Sequence, residues 1–131
     1  MANIEGQIRA MVLSNGTVTT LISTRMYYLI APDQETFPYV VYQDVSDPHV
    51  PNSFDHIASR QPRFQFDVYG SSAVSVVDVR DAIIGVLRWH QGTVGTLTAN
   101  GIQIANVQSM LVEDSVIYRS IIDAIVDYQE G

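Results

Sequence analysis

The spacing of apolar residues changes period several times along this chain, and each change marks an element. Ile4, Ile8, Met11 and Val12 recur at i, i+4, i+7 and i+8, which predicts an amphipathic helix capped by Asn3 and ended by Asn15-Gly16, residues that tolerate positive φ. Residues 17–24 are too β-branched for more than a turn of helix, and 25–30 (RMYYLI) reads as a short strand closed by Pro32. Residues 37–45 then alternate, with Tyr39, Val41, Gln43 and Val45 on one face and Val40, Tyr42 and Asp44 on the other. Pro38 lacks the donor that a ladder interior needs, so this strand begins at a sheet edge or a strand end. The alternation is clearest over 63–69, where Phe64, Phe66 and Val68 face one way and Arg63, Gln65, Asp67 and Tyr69 the other.

Gly70-Ser71-Ser72 breaks that strand and caps a second helix over 73–89, whose stripe Val76, Val79, Ile83, Val86 and Leu87 faces a core while Asp78, Arg80, Asp81 and Arg88 face water. Turns are marked at Gly92, Gly95 and Asn100-Gly101. Strands over 102–112 and 116–128 follow, joined at Glu113-Asp114-Ser115 as a hairpin. The order α, β, β, β, α, β, β lacks the regular alternation of a parallel sheet. The expected fold is α+β, a mostly antiparallel sheet of four to five strands with two helices packed on one face, forming a single domain over 1–131.

Composition narrows the classes of function. All seven basic residues are arginines against fourteen acids, a net charge of −7, and the arginines are scattered among carboxylates. Phosphate backbones and anionic lipids need clustered positive charge, so no specific nucleic-acid partner and no membrane surface are expected. No stretch approaches the roughly 18 continuous apolar residues of a spanning helix, and the start of the chain carries an acid and an arginine within its apolar run, unlike a signal peptide. The absence of cysteine removes disulfides, thiolate metal sites and cysteine nucleophiles together. Asn15-Gly16-Thr17 matches a glycosylation acceptor, but a helix-ending Asn-Gly explains it without a secretory route.

The residues that could carry chemistry form no set. Asp47, His49, Asp55 and His56 share one connection but follow no metal-ligand spacing, and no HExxH pattern exists. His90 ends the long helix, where an imidazolium suits the negative end of the dipole. Gly70-Ser71-Ser72-Ala73 lacks the second glycine of a nucleophile elbow and serves as a cap. Asp78 and Asp81 share a solvated helix face with Arg80 and Arg88, and Glu113-Asp114 occupies a turn where acids are common. No enzyme, metal or cofactor is expected from these residues.

One feature resists a bland account. Residues 46–61 (SDPHVPNSFDHIASRQ) form a connection longer than the roughly 12–15 residues beyond which structureless loops become uncommon. Its prolines favour extended backbone, and Val50, Phe54 and Ile57 supply apolar anchors that a merely solvated linker would not need. The alternatives are a floppy tip or an arm that docks on another chain, and the second makes Asp47, His49, Val50, Phe54, His56 and Ile57 candidate interface residues.

Arg25-Met26-Tyr27 with Ala31-Pro32, then Phe37-Pro38-Tyr39-Val40-Val41-Tyr42-Gln43, then Arg63 to Tyr69 followed by a helix, then Tyr118-Arg119 leading into Ile121-Ile122-Asp123, together resemble the tail-completion, or tail-terminator, family of long-tailed bacteriophages and prophages. The resemblance runs over nearly the whole chain and rests on order and spacing, since each segment alone is ordinary strand chemistry. It implies a non-enzymatic virion protein, made in the host cytoplasm, that forms a ring of six copies on the head-proximal end of the tail tube. Such a ring would stop tube elongation and present a joining surface to the head-tail connector. It implies no catalytic residues. The connection after Val45 departs from the shorter or glycine-rich link usual in the family. Two alternatives differ by class: a head-tail connector or neck adaptor, and a small-molecule-binding or enzymatic α+β domain. A ring on the route of a genome should repel phosphate, so Asp44, Asp47, Asp55, Glu113 and Asp114 are candidates for an acidic lumen or rim.

Overall fold

A computed structural model describes residues 4–32, 36–46, 58–60, 62–88, 93–94, 97–111 and 117–130. Three helices, α1 (Ile4–Leu13), α2 (Gly16–Ile22) and α3 (Ala73–Arg88), pack on one face of a sheet. The sheet contains β1 (Met26–Tyr28), β2 (Tyr39–Ser46), β3 (Ala58–Arg60), β4 (Arg63–Gly70), β5 (Thr93–Val94), β6 (Leu97–Leu111) and β7 (Tyr118–Glu130). Strand order is β1-β2-β4-β7-β6-β5, with β3 also pairing β7, and every pairing is antiparallel except the parallel β1–β2. The α+β class and the largely antiparallel sheet are as the sequence pattern predicts.

The helix periodicity translates directly into burial. Ile4, Ile8 and Val12 of α1 and Val76, Val79, Ile83 and Leu87 of α3 are buried, and Met11 and Val86 are partly covered. They meet Val40 and Tyr42 of β2, Phe64, Phe66 and Val68 of β4, and Ile122, Ala124 and Val126 of β7 in one apolar cluster. Phe64 and Phe66 are fully buried, and each contributes on the order of 2–3 kcal/mol by leaving water. Ser120 is the polar exception on this face: its hydroxyl lies 2.6 Å from that of Ser109, which also accepts from Arg80 Nη1 at 3.2 Å.

Several local expectations are corrected. Asn15 does not end α1 with a positive φ; at φ −84° it starts α2, its Oδ1 accepting from Thr17 N and Val18 N at 3.0 and 3.2 Å. That cap, together with complete burial of Val18 and Ile22, makes a true third helix of a β-branched segment. Thr20 Oγ1 donates to Gly16 O at 2.7 Å, so its hydroxyl is satisfied within the helix. The strand predicted over 25–30 is cut to β1, because Leu29 adopts φ 71° and breaks the extended backbone. Asn100-Gly101 is no turn: both residues lie inside β6, at a register shift between Ala99 and Gly101. The connection read as structureless over 46–61 is shorter, since β2 runs to Ser46 and β3 pairs with β7 at Ala58↔Glu130 to Arg60↔Tyr128. Pro38 precedes β2, a strand flanked on both sides by β1 and β4, so it marks a strand end and not a sheet edge.

Candidate assembly surfaces

Because the helices all lie on one face, the opposite face of β2, β4 and β7 has no helix over it among the described residues. Cross-strand pairing places Tyr39, Val41 and Gln43 beside Tyr69, Asp67 and Gln65, and these in turn beside Arg119, Ile121 and Asp123. At its centre sits Asp67, whose residue is only 7% exposed. A carboxylate that dry needs partners. Its Oδ2 accepts from Arg119 Nη2 at 3.0 Å and its Oδ1 from Gln65 Nε2 at 2.9 Å. A second pair, Arg63 Nη2 to Asp123 Oδ2 at 3.7 Å, is looser and wetter.

An aromatic row runs from this pair to the margin of the sheet. The Arg119 guanidinium lies 5.6 Å from the Tyr69 ring centroid, Tyr69 stacks on Tyr39 at 5.2 Å, and Tyr39 stacks on Phe37 at 5.5 Å. Burial pushes the Tyr69 phenol above its ordinary pKa, against the opposing pull of Arg119. Segment 29–32 stands beside this row and leaves an open groove of about 550 Å³ between Leu29, Ile30 and the side chains of Tyr39, Val41, Asp67 and Tyr69.

The margin at β1 is unusually apolar. Tyr28, Leu29 and Ile30 are 39, 58 and 78% exposed in an uninterrupted run. Leu29 is held at positive φ by two backbone bonds, Leu29 N to Tyr42 O at 2.9 Å and Ile30 N to Tyr28 O at 2.8 Å. The second closes a three-residue turn around a left-handed residue, the strained hand of that turn. The Tyr28 hydroxyl donates to the Asp44 carboxylate, which raises the pKa of the phenol, with burial adding to the shift.

At the other margin, β6 carries β5 only at Leu97 and Thr98, and among the described residues no strand pairs with the outer edge of Gly101–Leu111. The fifteen residues of β6 include no charge and no proline, although edge strands are ordinarily protected by such residues. Val107, Met110 and Leu111 are exposed here, as is Val74 at the start of α3, and a cavity of about 220 Å³ opens between Ala73, Val76, Val77, Met110 and Tyr118.

Of the residues singled out from sequence, Asp47, His49, Val50, Phe54, Asp55, His56, Ile57, Glu113 and Asp114 lie outside the described residues, as does His90. Asp44 is described, and it is engaged by Tyr28 in the β1–β2 margin. Among the described residues no three His, Asp or Glu side chains converge as a metal site would require. Sequence reasoning missed the Asp67–Arg119 pair and the Leu29–Ile30 ridge. A lone acid between Phe66 and Val68 was the available signal for the first; nothing in the pattern distinguished the second from ordinary strand.

No known protein family profile and no curated protein matches this chain. A solved chain from the virion of a native gene transfer agent particle is similar in fold, with a TM-score of 0.79 and 12% sequence identity, covering 97% of this chain and 95% of that one.

Proposed function

We propose that this protein is a virion structural protein that closes the head-proximal end of a phage tail tube as a ring. In that role it stops tube elongation and forms the surface on which the head-tail connector sits. The observation that carries the reading is the near end-to-end fold likeness to a chain of a gene transfer agent virion. The order of strand segments that resembles the tail-completion family supports the terminator position within such a particle. The described surface suits the role: its dry polar centre, Asp67 with Arg119, is paired within the subunit, and large apolar side chains are exposed near both ends of the sheet. A chain with a net charge of −7 gains solubility as a free subunit, so it can wait for a tube end without aggregating.

The test is electron microscopy of purified tail tubes with and without the protein, alongside sedimentation of the protein alone. Tubes that gain a ring of density at one end and no longer elongate support the terminator. Density that appears on filled heads and not on tubes would move the assignment to a head-tail connector. A protein that sediments as a monomer and adds density to neither would refute both.

A further inference from the structure

We propose that the groove beside β2 receives the Pro48-His49-Val50-Pro51 segment of a neighbouring copy in the ring. This inference rests on the ring reading above and adds to it which parts of two copies meet. Phe37, Tyr39 and Tyr69 form a stacked row, at 5.5 and 5.2 Å between centroids, and line the groove together with Leu29 and Ile30. Its volume of about 550 Å³ lies within the roughly 300–1,000 Å³ that holds a drug-sized ligand, the bulk of a few residues. Among the residues lining it only Asp67 carries a charge, and that carboxylate is taken up by Arg119 and Gln65. Aromatic-lined grooves are where P-x-x-P segments dock, because their polyproline helix is extended in advance and loses little entropy on binding. The chain carries that spacing once, at Pro48 and Pro51, and the intervening His49 and Val50 add no formal charge at pH 7.

The reach of the chain decides which copy supplies the segment. Residues 47–57 lie outside the described residues, between Ser46 at the end of β2 and Ala58 at the start of β3. Ser46 is seven residues along β2 from Tyr39, about 23 Å at roughly 3.3 Å per residue. Tyr39 faces Tyr69, and the β7 partners of Tyr69 and Ala58, Arg119 and Glu130, are eleven residues apart, about 36 Å. A subunit's own segment would have to run about 23 Å to the aromatic row and about 36 Å back, whereas the twelve residue steps from Ser46 to Ala58 extend to about 43 Å at most. The aromatic row is therefore beyond the reach of the chain that carries it, and a second copy must fill the groove. The segment leaves from the end of β2 opposite the row, so the contact joins two different parts of the same chain. Such heterologous contacts generate rings when the rotation closes.

The chain has no cysteine, so engineered thiols report contacts without background. Ala31→Cys places a thiol in the groove lining outside the buried core, and Asn52→Cys places one beside Pro51. Each variant, their mixture, and the double variant would be treated with a short bismaleimide, free in solution and on tail tubes, and resolved on denaturing gels. The expected result is no link in either single variant, a dimer from the mixture, and a ladder extending to the ring number from the double variant. That ladder should be lost when Pro48 and Pro51 are both replaced by alanine, and a ladder that survives the replacement would overturn the polyproline contact. Self-linking of either single variant would indicate a contact between like parts, and a double variant that links only within one chain would place the segment on its own groove; either overturns the proposal. Rings visible by microscopy without any ladder would mean another occupant, such as a segment of the tube or connector, and overturn the proposal while leaving the ring reading intact. Absence of both links and rings would overturn the two together.

Discussion

Removing the Asp67 carboxylate separates a structural ion pair from a decorative one. Asp67→Ala leaves the Arg119 guanidinium on the sheet with its Nη2 partner gone, and its Nε already has no hydrogen-bond partner. The Asp67 side chain is 10% exposed and that of Arg119 29%, so this pair lies between the surface and buried extremes. Breaking a fully buried pair costs about 3–5 kcal/mol, and an exposed one about 0–1 kcal/mol. With two charge-assisted or polar hydrogen bonds lost and partial access of water to Arg119, the expected cost is about 2–3 kcal/mol. For a chain of this length that corresponds to a fall in melting temperature of about 10 °C. The internal control is Asp123→Ala, which breaks the 3.7 Å contact to an Arg63 side chain that is 42% exposed and should cost no more than about 0.5 kcal/mol. Urea unfolding of both variants, with unchanged slopes, measures the difference. Replacing both members, Asp67→Leu with Arg119→Leu, should recover most of the loss, since apolar substitutes for a buried pair are often neutral. If Asp67→Ala and Asp123→Ala cost the same, the pair contributes no more than a surface contact and the reasoning fails.

Gly70→Ala should destabilise by about 1–3 kcal/mol, because a Cβ there would stand 2.6 Å from Val76 Cγ2 across the β4–α3 junction. Pairing it with Val76→Ala should restore part of the loss in thermal unfolding, and strict additivity of the two would refute the clash. Alkaline pH should unfold the protein through its tyrosines: Tyr28 is raised by its bond to Asp44, and Tyr42 and Tyr69 by burial, all above the ordinary value near 10. A raised folded-state pKa gives stability that is complete below about pH 10 and lost as pH climbs toward the folded values. Phenolate absorbance followed together with circular dichroism checks this, and seven tyrosines titrating together near pH 10 with the fold intact would contradict it.

What could be read from sequence divides by the range of the interaction. The β4 alternation and the α1 and α3 stripes depend on period alone, and Phe64, Phe66, Ile8, Val79 and Ile83 are all buried as their spacing requires. The α2 helix was underestimated because its stability comes from the Asn15 cap and from tertiary burial of Val18 and Ile22, which outweigh the weak propensity of its threonines. Pairings escaped where partners are distant: Asp67 and Arg119 are 52 residues apart, and their adjacency follows from the β4–β7 register, which no local pattern encodes. The Leu29 turn escaped for a different reason, since leucine gives no warning of positive φ in the way glycine or asparagine does. Most of the arm expected over 46–61 lies outside the described residues, and β3 occupies its C-terminal end.

The position of β7 sets a constraint on how the chain acquires its structure. It is the last of the described strands in chain order, yet it lies between β4 and β6 and pairs with β3 as well. Arg63 meets Ile125, so the central ladder joins segments 62 residues apart. Loop closure over such distances must precede any gain from pairing, which slows the search relative to helical chains. On the ribosome, β2 and β4 emerge with Phe64 and Phe66 on a half-built sheet whose middle is still unsynthesised. The nascent chain therefore presents an unpaired β4 margin until β7 arrives, and the central β4–β7 ladder can form only after the other described strands have been synthesised.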